Sequence, residues 1–256
     1  MVDGLARTAP VARRRDWSEP RDRETRAAVV IDVPPAIRPR LAAAWTQAAC
    51  MEHASIAAFA RFALQLLAVG APPDLVADAQ RAMADEILHA QLTFGLASAY
   101  AGVDVGPGKL AVDESTGACD LRALVSAVFT EGCVGETLAA LEAREALDYA
   151  TDPAVREVLR TIAEDETRHA ELAWRTVAWV TSTGGAEAHA WLDEAIADEV
   201  ARSEWDAPYT VSSRDDALRA HGVLTEGLRQ QLRRAALAEV IIPCAGAVRS
   251  RSTIAA

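Results

Sequence analysis

The chain has little of what builds sheets: only three Tyr, four Phe and six Trp occur among its 256 residues. Alanine, leucine and arginine are abundant instead, a composition that favours helices. Cysteine is also scarce. Cys50, Cys119, Cys133 and Cys244 lie far apart, and no CxxC spacing of the kind needed by a zinc ribbon or a rubredoxin-type iron site is present. Reduced thiols are the expectation. Basic charge is in deficit, with 26 Lys and Arg against 37 Asp and Glu and a net charge of -11, so nucleic acid is not an expected partner. The N-terminal stretch MVDGLARTAPVARRRDW carries arginines but no apolar segment of a secretory signal. No apolar run reaches the roughly 18 uncharged residues of a membrane span; the best one is interrupted by Arg61. A soluble, cytoplasmic protein with no membrane partner is expected.

Residues 1–37 are polar, arginine-rich and proline-bearing, and read as a flexible arm or a strap across the surface. From Leu41 the pattern turns helical. A first helix to about Val69 is stopped by GAPPD, and a second runs from about Asp74 to Tyr100. After AGVDVGPGKLAVDESTGACD a third covers roughly Leu121 to Tyr149. TDP, with Asp152 as N-cap, opens a fourth from about Ala154 to Thr181. STGG precedes a fifth helix near Glu187 to Ser203, and a sixth is expected near Asp215 to Val240. The division expected is an arm over 1–37, a four-helix unit over 38–183 and a C-terminal helical extension over 184–256.

Short connections make helices one and two antiparallel, and likewise three and four. The middle connection is different: about 16 residues reach about 50 Å, more than the about 42 Å of a 28-residue helix. It can traverse the whole bundle and let helices two and three run parallel.

Two eight-residue stretches carry the chemistry. DEILHAQL begins at Asp85 and DETRHAEL at Asp165. Positions three apart share a helix face, so Glu86 pairs with His89 and Glu166 with His169, in both cases on the apolar face. Pro73 precedes Glu86 by 13 residues, as Pro153 precedes Glu166. Glu52 lies 21 residues before the first proline and Glu131 22 before the second, each among apolar neighbours. Four buried carboxylates and two imidazoles would each cost several kcal/mol if left unpaired. A pair of divalent metal ions would compensate them.

One Glu from each of two helices, plus Glu-x-x-His from each of two others, is the pattern of ferritin-like di-iron and di-manganese proteins. Over about 41–181 the chain resembles that superfamily. The resemblance implies an all-α, ferritin-like four-helix bundle with one long crossover. It makes Glu86 and Glu166 bridging ligands, Glu52 and Glu131 terminal carboxylates, and His89 and His169 one ligand to each ion. Asp85 and Asp165 would orient the imidazoles. Oxygen and nitrogen ligands without thiolate suit two Fe ions, with Mn or a mixed Fe/Mn pair as alternatives.

In EGCVGE, Gly132 and Gly135 each cost about 1 kcal/mol in a helix. Either they allow close packing, or they mark a π-bulge of the sort common at functional sites. A bulge would swing Glu136 towards the face of Glu131, as an extra ligand or a proton carrier. Cys133 is expected to be a packed thiol, His53, His189 and His221 surface or structural residues, and Glu164 and Glu171 solvated.

The resemblance points to a non-haem di-iron oxidoreductase that uses dioxygen on a small organic substrate, with an external electron donor. Ile162 stands where arylamine N-oxygenases place a further histidine, which weakens that branch. The alternatives are a ferroxidase or rubrerythrin-like peroxidase acting on iron or peroxide, without the CxxC pair of a rubredoxin domain, and a non-catalytic, metal-stabilised helical module. The C-terminal helices would cover the pocket or make a homodimer.

Overall fold

Four long helical stretches dominate the computed structural model, which describes residues 7–18, 33–112, 119–203 and 216–253. Helix α1 spans Arg38–Ala68, with a proline in its first turn, and ends before Gly70, whose φ is 69°. Helix α2 spans Pro73–Ala101; Pro73 needs no amide partner at the first position, and Gly102 closes the helix in the left-handed region at φ 72°. The third stretch begins as α3, Leu121–Ala127, capped by the Asp120 carboxylate, which accepts from the Ala123 amide at 2.8 Å. It widens into a π-helical segment, Val128–Glu136, and resumes as α4, Thr137–Tyr149. Asp152 then caps α5, accepting from the amides of Ala154 at 2.9 Å and Val155 at 3.2 Å.

Helix α5 runs over Pro153–Ser203 but is broken within by Gly185, at φ 59° and ψ -140°. The expected fourth and fifth helices therefore meet at a kink with no loop between them. The expected sixth helix is divided. Helix α6, Asp216–Arg219, stops at Gly222, and Thr225 caps α7, Glu226–Ala236. A second π segment, Leu237–Ile241, leads into α8, Ile242–Thr253. Gly222 has φ 75° and lies so close to α5 that a Cβ would meet Val155 at 2.8 Å and Leu159 at 2.9 Å. A continuous helix has no room there.

Side-chain pairs between α2 and α5 fix their directions. Asp78 pairs with Arg175, Asp85 with Arg168, and His89 with Asp165, so one chain number rises as the other falls. The two helices are antiparallel. Because α4 turns back into α5 within a few residues and packs along it, α2 and the α3–α4 stretch run parallel, with the end of α2 and the start of α3 at opposite ends. The chain just after α2 is strapped. Val11–Ala12 (β1) pairs antiparallel with Gly106–Pro107 (β2), the strand pairing among the described residues. Of the expected N-terminal arm, residues 1–6 and 19–32 lie outside the described residues.

Beside a small apolar cluster of Ala49, Cys50, Ala90 and Phe94, the interior has two large apolar layers. One holds Leu41, Trp45, Tyr100, Val155 and Leu159; the other holds Phe59, Leu66, Leu75, Leu172 and Val177. On α1, α2 and α5 the residues between these layers include Glu52, Glu86 with His89, and Glu166 with His169. Thus a polar stratum is clamped between apolar ones. Residues 121–149 form a helix long and apolar enough to cross a membrane by length and composition, with half of that apolar window buried inside the fold.

Candidate metal centre

Two clusters of ligand atoms occupy the polar stratum. Glu52, Glu86, His89 and Glu166 form one, and Glu86, Glu136, Glu166 and His169 the other, with the atoms of each cluster within 4.8 Å of one another. Glu86 and Glu166 belong to both, the position of bridging groups. Each comes from the middle of its helix, where the three-residue spacing to His89 or His169 puts carboxylate and imidazole on one face.

Five of the six expected ligands meet in these clusters; Glu131 is placed elsewhere. It pairs with Arg61 of α1, while Glu136 takes the remaining corner of the second cluster. The π segment explains the exchange. Its i→i+5 bonding widens the turn and shifts the register, so Glu136, five residues after Glu131, comes round to the cleft that both residues line. Both glycine readings hold at once: the bulge is present, and at Gly132 a Cβ would sit 2.6 Å from that of Ala173 on α5. Close helix approach and widened register occur together.

The imidazoles are held crosswise. His89 Nε2 lies 2.9 Å from Asp165 Oδ2 and His169 Nε2 3.2 Å from Asp85 Oδ2, so each histidine of one motif meets the aspartate of the other. Arg168 pairs with both aspartates. This arrangement leaves the Nδ1 atoms facing inward. His89 Nδ1 is 3.5 Å from Glu166 and 3.8 Å from both Glu52 and Glu86. His169 Nδ1 is 3.1 Å from Glu166, 3.3 Å from Glu86 and 3.9 Å from Glu136.

Burial makes this arrangement costly by itself. Glu86, His89, Glu166 and His169 are all 3% exposed or less. Both carboxylate oxygens of Glu86 and Nδ1 of His89 are buried without a hydrogen-bond partner, an expense that folded proteins rarely accept. Protons soften it in part. Burial opposes charge on His89, but Asp165, Glu166 and Glu86 outweigh it and push the imidazole up to about 12. His169 is likewise pushed up to about 10: burial opposes it, and Glu166 and Glu86 prevail. Glu52 and Glu136 are raised well above the usual carboxylate range, by burial first and then by neighbouring carboxylates. Burial would raise Glu166 as well, yet contacts with Glu136, His169 and His89 hold it low. The donor set, all carboxylate oxygen and imidazole nitrogen, fits two divalent ions, and the orphaned atoms of Glu86 and His89 are the ones that such ions would satisfy.

A cleft reaches the second cluster from outside. Its wall includes Phe59, Phe62, Arg61, Glu131, Gly132 and Leu172, and it touches His169 and Glu136. Sequence reasoning missed this use of Arg61, which it met only as an interruption of an apolar run. The other histidines lie outside both clusters: the ring of His53 meets Trp17 edge-on, His189 Nδ1 lies 2.8 Å from the Gly185 carbonyl, and His221 Nδ1 lies 3.0 Å from the Tyr100 hydroxyl. Cys133 is fully buried, Glu164 and Glu171 are exposed, and none of the four cysteines is in a disulfide. No protein-family model, curated protein or solved structure matches the chain.

Proposed function

We propose that the chain is a ferritin-like di-iron oxidoreductase that uses dioxygen to oxidise a small organic substrate. The observation that carries this reading is the pair of four-ligand clusters sharing Glu86 and Glu166. The antiparallel α2–α5 pairing and the parallel run of α2 and the α3–α4 stretch support the bundle type. Two ferrous ions bound there would supply electrons to dioxygen, with an external donor restoring them. The protein's own part is positional. Asp85 and Asp165 fix the imidazole tautomers through Nε2 and turn Nδ1 inward. Phe59 and Leu172 exclude water from the His169 side, where the cleft gives a substrate access. Glu136 belongs to the second cluster and also lines that cleft, so it would complete the ligand set of the ion nearest a bound molecule. Iron is preferred, with manganese or a mixed pair allowed by the same donors.

The test is anaerobic Fe(II) titration followed by an oxygen pulse, with metal content and visible spectrum recorded for the wild type and Glu86→Ala. Two irons per chain and an oxygen-dependent band lost in the variant support the reading. Turnover with Fe(II) or peroxide alone would instead indicate a ferroxidase or peroxidase. Metal-dependent stability without oxygen consumption would indicate a structural role.

A further inference from the structure

The cleft that ends at His169 and Glu136 carries a guanidinium in its wall, that of Arg61, away from the ligand clusters and placed to receive an anion. Arg61 and Gln65 are one turn apart on α1, so guanidinium and carboxamide share a face. The lining beside them is apolar, with Phe59, Phe62 and Leu172, and the ring of Phe59 meets His169 edge-on at 5.0 Å. The cleft is half open to solvent along these residues, so a ligand would lie partly in its mouth. Along α1, Arg61 and Gln65 stand two and six residues beyond Phe59, about 3 to 9 Å further from the metal end at 1.5 Å per residue.

We propose that the cleft binds an apolar carboxylic acid, with its head on Arg61 and Gln65 and its hydrocarbon body against the two phenylalanines, towards His169. This inference rests on the function proposed above and names the substrate class for it. Glu131 now occupies the guanidinium. The two side chains are 17% and 26% exposed and both line the cleft, so an incoming carboxylate can reach the guanidinium and take the place of the one already there. The asymmetry selects an acid over an amine. An incoming acid displaces Glu131, the more exposed partner. An incoming amine would take Glu131 and strand Arg61, the more buried one, beside a like charge. Arginine also receives carboxylates in a two-pronged geometry that an ammonium lacks.

The experiment is calorimetric titration of the metal-free, full-length protein with octanoate, octylamine and 1-octanol. The expected result is saturable octanoate binding at least tenfold tighter than that of octylamine. It should weaken tenfold or more in Arg61→Gln, weaken less in Arg61→Lys, which keeps the charge without the two-pronged geometry, and tighten in Glu131→Gln, where the competing charge is gone. Binding of octanol should be indifferent to all three substitutions. Octylamine binding as tightly as octanoate, octanoate unaffected by Arg61→Gln, or weakening in Glu131→Gln would each overturn the proposal, as would no saturable octanoate binding. Should Arg61→Gln fail to fold, Glu131→Gln decides alone, since it leaves the guanidinium in place. Fe(II) uptake measured by anaerobic titration of a portion of the same preparation separates the two readings. Octanoate bound with no metal uptake keeps the acid site and sinks the redox function; two ions without octanoate binding do the reverse.

Discussion

Replacing Asp165 with Asn should weaken one metal position far more than replacing Asp85 weakens the other. The amide keeps the shape and an oxygen that can accept from His89 Nε2, so what is lost is charge. Carboxylate support of a ligand histidine is typically worth 10- to 100-fold in metal affinity, or about 1.4 to 2.8 kcal/mol. The geometry assigns the two aspartates to opposite ends of that range. Asp165 is 2.9 Å from its imidazole and its side chain is 11% exposed; Asp85 is 3.2 Å away and 27% exposed. A shorter, better shielded contact is less screened. Asp165→Asn should thus cost about 100-fold at the His89 cluster, and Asp85→Asn about tenfold at the His169 cluster. Anaerobic Mn(II) or Fe(II) titration against a competing fluorescent chelator resolves the two steps. If both variants stay within twofold of wild type, or Asp85→Asn is the more damaging, the crossed support of the histidines is refuted.

Metal-free and loaded protein should respond oppositely to pH. His89 and His169 bind protons more tightly folded than unfolded, so their stabilisation is complete below about pH 6.5 and fades as pH rises towards about 12 and about 10. Metal must displace those protons, so its affinity rises over the same window; melting curves with chelator and with Mn(II) should diverge from pH 6.5 to 8.5, and parallel curves would contradict this. Glu131→Gln should retain both ions, whereas Glu136→Gln should lose one of them, read by metal content after desalting. Gly132→Ala should destabilise the fold: crowding against Ala173 costs about 1 to 3 kcal/mol, and the gain in helix propensity returns about 1. Urea denaturation checks it, Ala173→Gly should restore the loss in the double variant, and a more stable Gly132→Ala would show that the helices are not in contact there.

Much of the centre was legible because a helix converts spacing into direction. Glu86 with His89 and Glu166 with His169 needed only the three-residue rule, and Glu52 its apolar neighbours. Glu131 was not placed correctly by that rule, since it assumes an unbroken α-helical register and the π segment changes the register between Val128 and Glu136. The glycines of EGCVGE marked the irregularity without fixing its size. The prolines and Asp152 located helix starts, because their effect is local. The break at Gly222 and the kink at Gly185 were harder to read, as the first depends on how close α5 lies. Nothing local identified Arg61 as a wall of the cleft, for its partners are Glu131, 70 positions away, and a space bounded by three helices.

The crossed His–Asp contacts have the form of a two-fold exchange: each hairpin lends an aspartate to the other's histidine. A pair of identical hairpins related by a dyad would satisfy the same contacts, so the centre has the layout of a dimer joined into one chain. One consequence is genetic. An injury to the DEILHAQL stretch at Asp85 is felt at His169, in the opposite half, and an injury at Asp165 is felt at His89. Neither hairpin produced alone would hold its imidazole in place, and mixing the two separate halves should restore what each one lacks.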